Sequence, residues 1–564
     1  GGPIGLLNVD LIRDVNFYSG GFPVSYGDRL SAVMELKLRD GNREEFDGQL
    51  DLNFAGFGGI IEGPLKDRGS WLLSFRRSYL DLLIKSIDLG TSIAPTYGDF
   101  QTKLNWDIDQ ENRISLLALG GDDHSHSDNE TGLENDMIYY GDQDLYENTV
   151  GLSWQRLWPG LGYSNTSFSS TFSSFREKFY KTGSMSHLFT NRSLEQDYKI
   201  RNINVLRLHE RYSLEFGTEI KFQHFLYDNL FTEQYNIFGD TIPELQQKDK
   251  IAAVKSGVFM QNRIALSSKL KLNLGIRMDY YTYNENFQVS PRGNLNYALT
   301  GKTSFNISWG IYYQNLPLII LSQHKQNLEL PDPRAIHYIA GISHLLTENT
   351  RLTLEIYQKE YKYFPVDPDQ PGLFLIDEIF YNYGFFTGHG PLHDSGIALS
   401  RGVEVMAQKK LARDFYGLIS ASWFRSKYQN EGEKWRNRSF DNRYTIGIEG
   451  GYKPDYQWEF SLRWLYAGGA PYTPFDVLAS TAQNQGIFDE ELLNECRYPD
   501  YHSLNIRCDR RFHFQRSNLV IYLSIWNAYN RKNIASYFWN ENENKQDTIY
   551  QWTLLPIFGV EYEF

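Results

Sequence analysis

Hydrophobic and polar residues alternate along much of this chain of 564 residues. From Leu270 to Met278 an apolar side chain occupies every second position, and polar residues or glycine lie between them. A period of two is that of a β-strand with one apolar face. The chain ends in the same way, because Phe558, Val560, Tyr562 and Phe564 share one face of an extended segment. These runs predict an all-β protein.

The strands and turns together indicate a transmembrane antiparallel β-barrel. The mean hydropathy is -0.48, and no apolar run of about eighteen residues predicts a spanning helix. Barrel strands escape such scans because their apolar residues alternate with polar ones. Short turns, such as Lys453-Pro454-Asp455, interleave with longer polar loops. Counting strands from residue 44 gives about 22, a size class whose lumen is normally plugged.

The predicted strand that begins at Leu504 shows which face of the barrel wall meets the membrane. Leu504, Ile506 and Cys508 alternate with polar residues, among them Arg507 and Asp509. A cation at the bilayer midplane on the lipid face costs roughly 2–4 kcal/mol. The polar set is therefore expected to face the lumen. Arg510 breaks this pattern, so we expect it near a membrane interface.

Composition narrows the class further. The chain has 56 basic and 69 acidic residues, a formal charge of -13 without a basic cluster, so nucleic acid is not an expected partner. Aromatic residues make up 15% of the chain, as expected for two interfacial girdles. A final strand that ends on Phe is typical of the bacterial outer membrane. Neither a starting Met nor a signal peptide is present, so we expect the translated protein to begin upstream.

The first forty residues do not scan as a lipid-facing strand, and they carry a family signature. The Tyr26-Gly27 pair and the Ser31-Ala32-Val33 run closely resemble the closing segment of the plug domain of TonB-dependent outer-membrane receptors. The phrase from Phe17 to Pro23 looks like the plug of receptors from Bacteroidetes-type bacteria. Residues 466–474 and 525–533 are similar to phrases in the last strands and loops of that family. The resemblance covers essentially the whole chain.

The resemblance implies two domains and an activity. Residues 1–43 correspond to the C-terminal end of the plug, and residues 44–564 to the barrel. The implied function is energised import of a scarce nutrient, such as a siderophore, a glycan or a peptide, across the outer membrane of a Gram-negative cell. Family members have a longer plug, preceded by a TonB box. We expect upstream sequence to supply both; the alternative is a degenerate receptor without its gate.

The implied partners are outer-membrane lipid and lipopolysaccharide, the TonB complex acting through an N-terminal region absent here, and a surface lipoprotein of the SusD kind or another. Two other functions stay open. The first alternative is a non-transporting structural subunit of a larger outer-membrane complex. The second, ranked last, is a constitutive pore. Fold alone does not decide among them.

Candidate site residues fall into three groups. Charges of the plug tail are expected to contact lumenal charges of the wall through charge-assisted hydrogen bonds, unless both are merely hydrated. Aromatic residues in or near outer loops could stack on a solute, or else pack loop against loop. The first group is Asp28, Arg29 and Glu35 with Glu404, Arg507, Asp509 and Arg511; the second is Tyr139, Tyr140, Phe380, Tyr381, Tyr537, Phe538 and Trp539.

The third group is the most metal-like stretch of the chain. Hard oxygens and two imidazoles lie close together in a segment that we predict to be an extracellular loop. A solvated acidic loop explains the same residues. They are Asp122, Asp123, His124, His126 and Asp128, with His389 and His393 as a weaker pair in another loop.

No chemistry beyond binding is expected. The chain has no nucleophile elbow, P-loop or His-Glu-x-x-His motif, so neither an enzyme nor a cofactor is predicted. Two cysteines in an exported protein suggest a disulfide. Alternation, however, places Cys508 on the lipid face, whereas Cys496 belongs to the preceding loop. We therefore expect them not to be bridged.

Overall fold

The computed structural model describes residues 7–53, 56–79, 96–134, 137–377 and 388–564. Strands dominate this part of the chain, in keeping with the alternating sequence. The strands of the barrel wall are β3 (Asp47–Asn53), β4 (Gly56–Pro64), β5 (Gly69–Ser78), β6 (Thr96–Asp107), β7 (Asn112–Ser127), β8 (Tyr139–Trp158), β9 (Gly162–Lys181), β10 (His187–His209), β11 (Tyr212–Phe231), β14 (Leu245–Ala265), β15 (Leu270–Tyr281), β16 (Asn286–Ala298), β17 (Thr303–Tyr313), β18 (Arg334–Thr347), β19 (Thr350–Val366), β20 (His393–Ala412), β21 (Phe415–Gln429), β23 (Tyr444–Tyr452), β24 (Trp458–Ala467), β27 (Tyr501–His513), β28 (Asn518–Trp526) and β31 (Leu555–Glu563).

Shorter elements lie at the start of the chain and in the connections. The remaining strands are β1 (Ile12–Tyr18), β2 (Val33–Leu38), β12 (Gln234–Tyr235), β13 (Thr241–Ile242), β22 (Arg436–Asn437), β25 (Pro471–Tyr472), β26 (Cys496–Arg497), β29 (Ile534–Asn540) and β30 (Lys545–Tyr550). The helices are α1 (Asn129–Glu134), α2 (Leu318–Leu321) and α3 (Val477–Gln483), with 3-10 turns at Val9–Leu11, Lys66–Arg68 and Lys325–Glu329. In the described ranges, no helix is both long and apolar enough to cross a bilayer.

The wall is a closed antiparallel barrel of 22 strands within the described residues, which confirms the predicted fold and strand number. The last strand closes it. β31 pairs with β28 on one side and with β3 on the other, and Gly48 and Phe564 exchange two backbone hydrogen bonds of 2.8 Å. Short turns join the strands at the end where β3 begins and β31 ends, here called the terminal end. The opposite end carries the long connections and is called the loop end.

The alternation predicted for the wall is present in the structure. On β15, Leu274 and Met278 are exposed on the outside, whereas Arg277 between them is buried in the lumen. Arg510 lies on the outer face, and its guanidinium stacks 4.5 Å from the ring centre of Trp458. This cation–π contact shields the charge next to the apolar belt. Cys496 and Cys508 are both free thiols.

The N-terminal segment, residues 7–43, lies against the lumenal side of the wall. β1 and β2 form a separate two-stranded antiparallel sheet, in which Phe17 lies opposite Met34 and Val15 opposite Leu36. Between these strands, residues 19–32 form a turn that reaches the inner faces of β10 and of β14 to β20. We call residues 19–31 the lumenal turn. The first wall strand begins at Asp47.

Two apolar clusters fill part of the lumen. One joins Phe22 and Leu30 of the lumenal turn to wall residues such as Tyr312 and Tyr361. The other lies nearer the loop end, where α2 and the described parts of the connection between β19 and β20, represented by Leu375 and Leu392, fold inward onto β11, β14 and β15. Loops of the loop end therefore pack into the barrel rather than projecting only into solvent.

Candidate functional site

Cationic side chains of the wall hold the lumenal turn by its backbone. The guanidinium of Arg292 donates hydrogen bonds from Nη1 to the carbonyl oxygens of Pro23 at 2.5 Å, Tyr26 at 2.8 Å and Phe22 at 3.3 Å. It also stacks on the rings of Phe22 and Tyr312. Arginine suits this position because its planar fork donates several bonds in fixed directions. One buried side chain thus fixes the path of three residues.

Two further arginines converge on the next residues of the turn. Arg201 donates from Nη2 to the carbonyl of Ser25 at 2.5 Å, and Arg277 donates from Nη1 to Val24 and Ser25 at 3.4 and 3.5 Å. The rest of the Arg277 guanidinium binds Asp279, with Nε at 2.9 Å and Nη2 at 2.7 Å. The carboxylate compensates the buried charge, which would otherwise be costly.

The far side of the turn is held in the same way. The ammonium of Lys359 donates to the carbonyl of Ser19 and, at 3.2 Å, to that of Ser31. The imidazole of His337 contacts the carbonyl of Leu30 at 2.8 Å through Nε2. Donation to a carbonyl requires a proton on that nitrogen, which the neutral ring supplies. Both ends of the lumenal turn are therefore tied to β18 and β19.

Asp28 is the carboxyl group through which the turn binds the wall. Its oxygens accept from Lys255 Nζ at 3.0 Å and from the backbone N–H of Asn315 at 2.9 Å. Burial acts to raise the pKa of the Asp28 carboxyl, but the Lys255 ammonium and the Asn315 N–H outweigh it and lower the pKa below its usual value. The residue has a φ of 56°, a left-handed conformation that Asp tolerates better than most residues.

Small residues let the backbone approach the wall closely. A Cβ on Gly27 would lie 2.2 Å from Nε of Arg277, and one on Gly20 would lie 2.7 Å from Cδ1 of Ile339. Gly21 has a φ of +62°, which a side chain would strain. Phe22 follows directly and is fully buried, with its ring centre 4.4 Å from that of Tyr312. The Gly-Gly-Phe phrase thus inserts one aromatic anchor into the wall.

A second contact lies near the terminal end, where the segment leaves the lumen. The Asp40 carboxylate binds Lys103 Nζ at 2.7 Å and Arg113 Nη2 at 2.6 Å. Burial acts to raise the pKa of Asp40, but hydrogen bonds from these two cations lower it to about 2. Arg39 pairs with Glu62 of β4 at 2.6 Å. These pairs fix the junction between the N-terminal segment and the barrel.

A charged cavity of about 140 Å³ separates the tip of the turn from the wall. Residues 27–29 form one side of it, and β10, β11, β14 and β15 form the other. Its walls carry both signs of charge, with Lys199, Lys221 and Lys255 facing Glu219 and Asp279. Lys199 and Glu219 pair at 2.9 Å. The tip of the turn therefore rests on ion pairs, whereas Phe22 and Leu30 pack in the apolar cluster described above.

Comparison with known proteins decides the family. Residues 24–528 match the family model described as TonB dependent receptor-like, beta-barrel. The chain belongs to the TonB-dependent receptor family. This confirms the family that the sequence resembles. No curated protein sequence matches the receptor.

Solved structures share the receptor's fold at low sequence identity. The ferripyoverdine receptor of the outer membrane of Pseudomonas aeruginosa is 13% identical over 95% of this chain and 74% of its own, with a TM-score of 0.68. The outer membrane transporter YddB from Escherichia coli is 13% identical over 99% and 85%, with a TM-score of 0.70. The FrpB iron transporter from Neisseria meningitidis is 12% identical over 98% and 88%, also with a TM-score of 0.70. At these identities the likeness shows the fold alone.

The predicted contacts between plug tail and wall are distributed differently in the receptor. Asp28 binds Lys255, as described above, and Arg29 donates to the carbonyl of its neighbour Asp28 at 2.5 Å. Glu35 accepts from Asn16 across the small sheet at 2.9 Å. The remaining partners stay on the wall. Arg507 pairs with Asp509 at 2.6 Å, Arg511 pairs with Glu563 at 2.6 Å, and Glu404 lies on β20 opposite Glu355.

The predicted loop aromatics of the receptor pack against one another. Tyr140 stacks on Tyr180 at 5.5 Å, and Tyr139 contacts Phe179. Tyr537 lies 5.0 Å from the ring of Tyr472. Trp539 is buried beside Phe475, and Phe538 follows Tyr537 on β29. Phe380 and Tyr381 lie outside the described residues. Tyr139 and Tyr140 thus form aromatic contacts between the neighbouring wall strands β8 and β9, whereas Tyr537 and Trp539 of β29 contact residues of the connection between β24 and β27.

The metal-like stretch lies on a strand and not in a loop. β7 extends to Ser127, so Asp122, Asp123, His124 and His126 are strand residues, and Asp128 follows the strand. Alternation separates Asp123 from Asp122 and the histidines. His124 contacts Asp144, and His126 contacts Asp142 at 2.5 Å, each across the β7–β8 ladder. Among the described residues, no group of three or more His, Cys, Asp or Glu side chains is placed to hold a metal ion.

The two histidines of the weaker pair have different environments. His389 is buried, and its Nδ1 lies 2.8 Å from the carboxylate of Asp367 in the same connection. Its carbonyl contacts Nε2 of His324 at 2.7 Å. His393 begins β20 and is exposed. The pair therefore does not converge on one point.

The residues that hold the lumenal turn were not predicted as site residues. Arg201, Arg277, Arg292, His337 and Lys359 all lie on wall strands, and Arg277 was placed on the lumenal face by alternation alone. Their acceptors are backbone carbonyls, which have no sequence signature. The signal that could have found them is a long cationic side chain at an inward position of a middle strand, since an unpaired charge there needs a partner.

Proposed function

We propose that this receptor imports a scarce solute across the outer membrane, with residues 1–43 as the closing part of its plug and residues 44–564 as the transport barrel. The observation that carries the proposal is the way in which the lumenal turn is held. Hydrogen bonds from a charged donor contribute about 1.5–3 kcal/mol each. Several of them, made one residue at a time, hold a segment firmly at rest and yet release it stepwise under a pulling force.

The energy source and the partners follow from this mechanism. The outer membrane has no ATP, so force on the plug must come from the inner membrane. We propose that the TonB complex supplies it through chain upstream of Gly1. The loop end then faces the outside, where its inward-folded loops close over the lumen. A surface lipoprotein of the SusD kind would bind at this end.

The exposed face of the small sheet supports the assignment of residues 1–43 to a plug. Val15, Phe17 and Met34 present a continuous apolar strip in the lumen, and Phe17 is 65% and Met34 60% exposed. Apolar strips of this kind are usually covered. Further plug sequence is the cover that we propose.

Uptake is tested in cells that lack the gene. The deletion strain, complemented with the complete native gene, is grown with scarce iron supplied as a ferric siderophore, and on glycans or peptides as sole sources. Iron is tried first because two of the structural neighbours are named for iron cargo. We expect one condition in which growth requires both the gene and TonB.

Two results would overturn the proposal. A steady conductance of the intact native protein in planar bilayers would indicate a constitutive pore. Growth that is never gene-dependent, together with stoichiometric co-purification of other outer-membrane proteins, would indicate a structural subunit. A complementing R13A variant, changed at an exposed residue of β1, controls for expression.

A further inference from the structure

The outer face of β8 changes from apolar to acidic toward the loop end. Val150 and Leu152 are exposed apolar residues, so even-numbered positions of this strand face outward. Tyr146 continues this face and is also exposed. The next two outward positions toward the loop end are Asp144 and Asp142. Two carboxylates therefore lie on the outside of the wall, past the apolar belt.

Two histidines of β7 lie directly across from these carboxylates. His124 is opposite Asp144, and His126 is opposite Asp142, in the β7–β8 ladder. Nδ1 of His126 lies 2.5 Å from the Asp142 carboxylate, and Nδ1 of His124 contacts Asp144 in the same way. All four side chains are more than half exposed. We call these four residues the outer histidine group.

The contact with a carboxylate determines which nitrogen of each imidazole is free. A neutral ring donates from Nδ1 only when its proton is on that nitrogen, and the lone pair is then on Nε2. Among the described residues, neither Nε2 has a hydrogen-bond partner. A histidine that binds a metal ion through one nitrogen commonly donates its other N–H to a carboxylate, which fixes the ring and raises its basicity. Each His–Asp pair of the group has this arrangement.

The spacing of the two histidines lets them act together. Residues two positions apart on a strand share a face, with their Cα atoms roughly 7 Å apart. At this separation, two imidazoles that lean toward each other reach one ion at metal–nitrogen distances of about 2.0–2.1 Å. The carboxylates are engaged with Nδ1, so the chain supplies two ligands and leaves the other coordination positions to water. A site with two protein ligands agrees with the absence of a three-ligand group from the described ranges.

The carboxylates contact the imidazoles although stronger cations lie nearby. Arg176 and Lys178 of β9 are directly opposite Asp144 and Asp142 on the β8–β9 ladder. In the part of the chain that the structure describes, neither cation forms an ion pair within 4.0 Å. The two negative charges therefore lie between the cations of β9 and the imidazoles of β7. This order reduces the repulsion that a bound metal ion would meet from β9.

We propose that His124 and His126 bind one late first-row transition-metal ion through Nε2, with Asp144 and Asp142 as positioning residues. Imidazole suits zinc, copper and nickel, and the affinity of such ligands is highest for Cu²⁺. Cu²⁺ is therefore the ion that we expect to bind most tightly. The ion would lie on the outside of the wall, so the site is separate from the lumen and from the proposed path of the solute.

The test titrates the receptor, purified in detergent, with Cu²⁺ alone and follows binding by electron paramagnetic resonance. We expect a bound ion whose spectrum shows two imidazole nitrogens. The double variant H124A/H126A should lose this signal. The matched control H209A/H393A removes two exposed histidines from separate strands, β10 and β20, and should keep it. The site is overturned if H124A/H126A keeps the signal, or if the control loses it to the same extent.

The positioning role is tested by a pair of single variants. Asp144→Asn should raise the dissociation constant for Cu²⁺ roughly 10–100-fold, the usual effect of losing the partner of a metal-bound histidine. The two-nitrogen spectrum should persist at saturation, because both ligands remain. Asp122→Asn is the control, since Asp122 is the neighbouring outward carboxylate of β7 and pairs with Arg77 instead. Equal dissociation constants for the two variants would overturn the positioning role. None of these readouts depends on transport.

Discussion

The two parts of the N-terminal segment are bound to the barrel very differently. In the lumenal turn, Phe22 and Val24 are fully buried, and wall cations bind the backbone on both sides. In the small sheet, the hydrogen bonds run mainly between β1 and β2, and the face formed by Val15, Phe17 and Met34 is exposed. The turn and the Asp40 junction are thus fixed points, and the sheet between them is a lightly attached span. The opening of the lumen that the proposed function requires is therefore expected to depend on the turn.

The strongest test of this difference removes the aromatic anchor. Phe22→Ala should lower the free energy of local opening of the lumenal turn by about 3–5 kcal/mol, the usual cost of a buried Phe-to-Ala change. Hydrogen–deuterium exchange of peptides covering residues 19–31 measures it in the intact receptor. Peptides of the barrel wall in the same sample serve as the internal control. Unchanged protection of the turn would show that the anchor is not needed.

The next test removes one backbone clamp. Arg292→Ala loses the bonds to Pro23 and Tyr26 and should lower the opening free energy by about 2–3 kcal/mol, within the range for hydrogen bonds to charged groups. Exchange of the same peptides is the readout. The control is Arg13→Ala on β1, where the side chain is exposed and the effect should stay below about 0.5 kcal/mol. Equal effects of the two variants would contradict the comparison.

Acid should weaken the junction that Asp40 forms with Lys103 and Arg113. The pKa of Asp40 is lowered to about 2 in the folded receptor, from 3.8, so its contribution of about 2 kcal/mol is complete above about pH 4 and is lost as the pH falls through about 2. Exchange of peptides covering residues 38–43, measured from pH 5 to pH 2, should show this loss.

Asp40→Asn provides the reference for that experiment. It should lose the same stabilisation already at neutral pH and respond less to acid between pH 4 and 2. The difference between the two proteins isolates Asp40 from other carboxylates that titrate over the same range. A constant difference across this range would rule out the assignment.

The smallest effect is expected on the exposed face of the sheet. Phe17→Ala should change the stability of the segment by less than about 0.5 kcal/mol in this chain, because the side chain is 65% exposed. A cost above about 2 kcal/mol in the complete native protein would show that the face is covered there. The same substitution made in both proteins therefore locates the cover that we propose.

The sequence predicts the strands of the barrel wall well because the alternation of apolar and polar side chains is a local property of each strand. A period of two at Leu270–Met278 or Phe558–Phe564 reports directly which side chains meet lipid. The length of the strands was harder to predict. β7 continues through Asp122 to Ser127, past the apolar belt, where both faces are polar and hydropathy no longer alternates. For this reason the sequence pattern of this stretch predicts a loop where the structure has a strand.

The contacts of the site depend on information that alternation does not contain. Period two places Arg277 in the lumen but does not give its height along the barrel or the residue across from it. Asp28 finds Lys255 from a position 227 residues away, and this pairing depends on the register of every strand between them. Arg507 pairs with a carboxylate of its own strand, and Arg511 pairs with one on β31, the second strand along the wall, instead of with the N-terminal segment. Local partners cost less entropy to reach.

The pairing of β31 with β3 makes the barrel a ring whose closing bond joins positions roughly 500 residues apart in the chain. Until the last strand is made, β3 and β28 both present unpaired backbone edges, which readily recruit other chains. During biogenesis these edges must be kept from pairing with other chains from the moment that the first strand emerges. Loss of the final residues would therefore impair assembly of the barrel more than transport. The incomplete chain would be degraded or would aggregate before it reached a membrane.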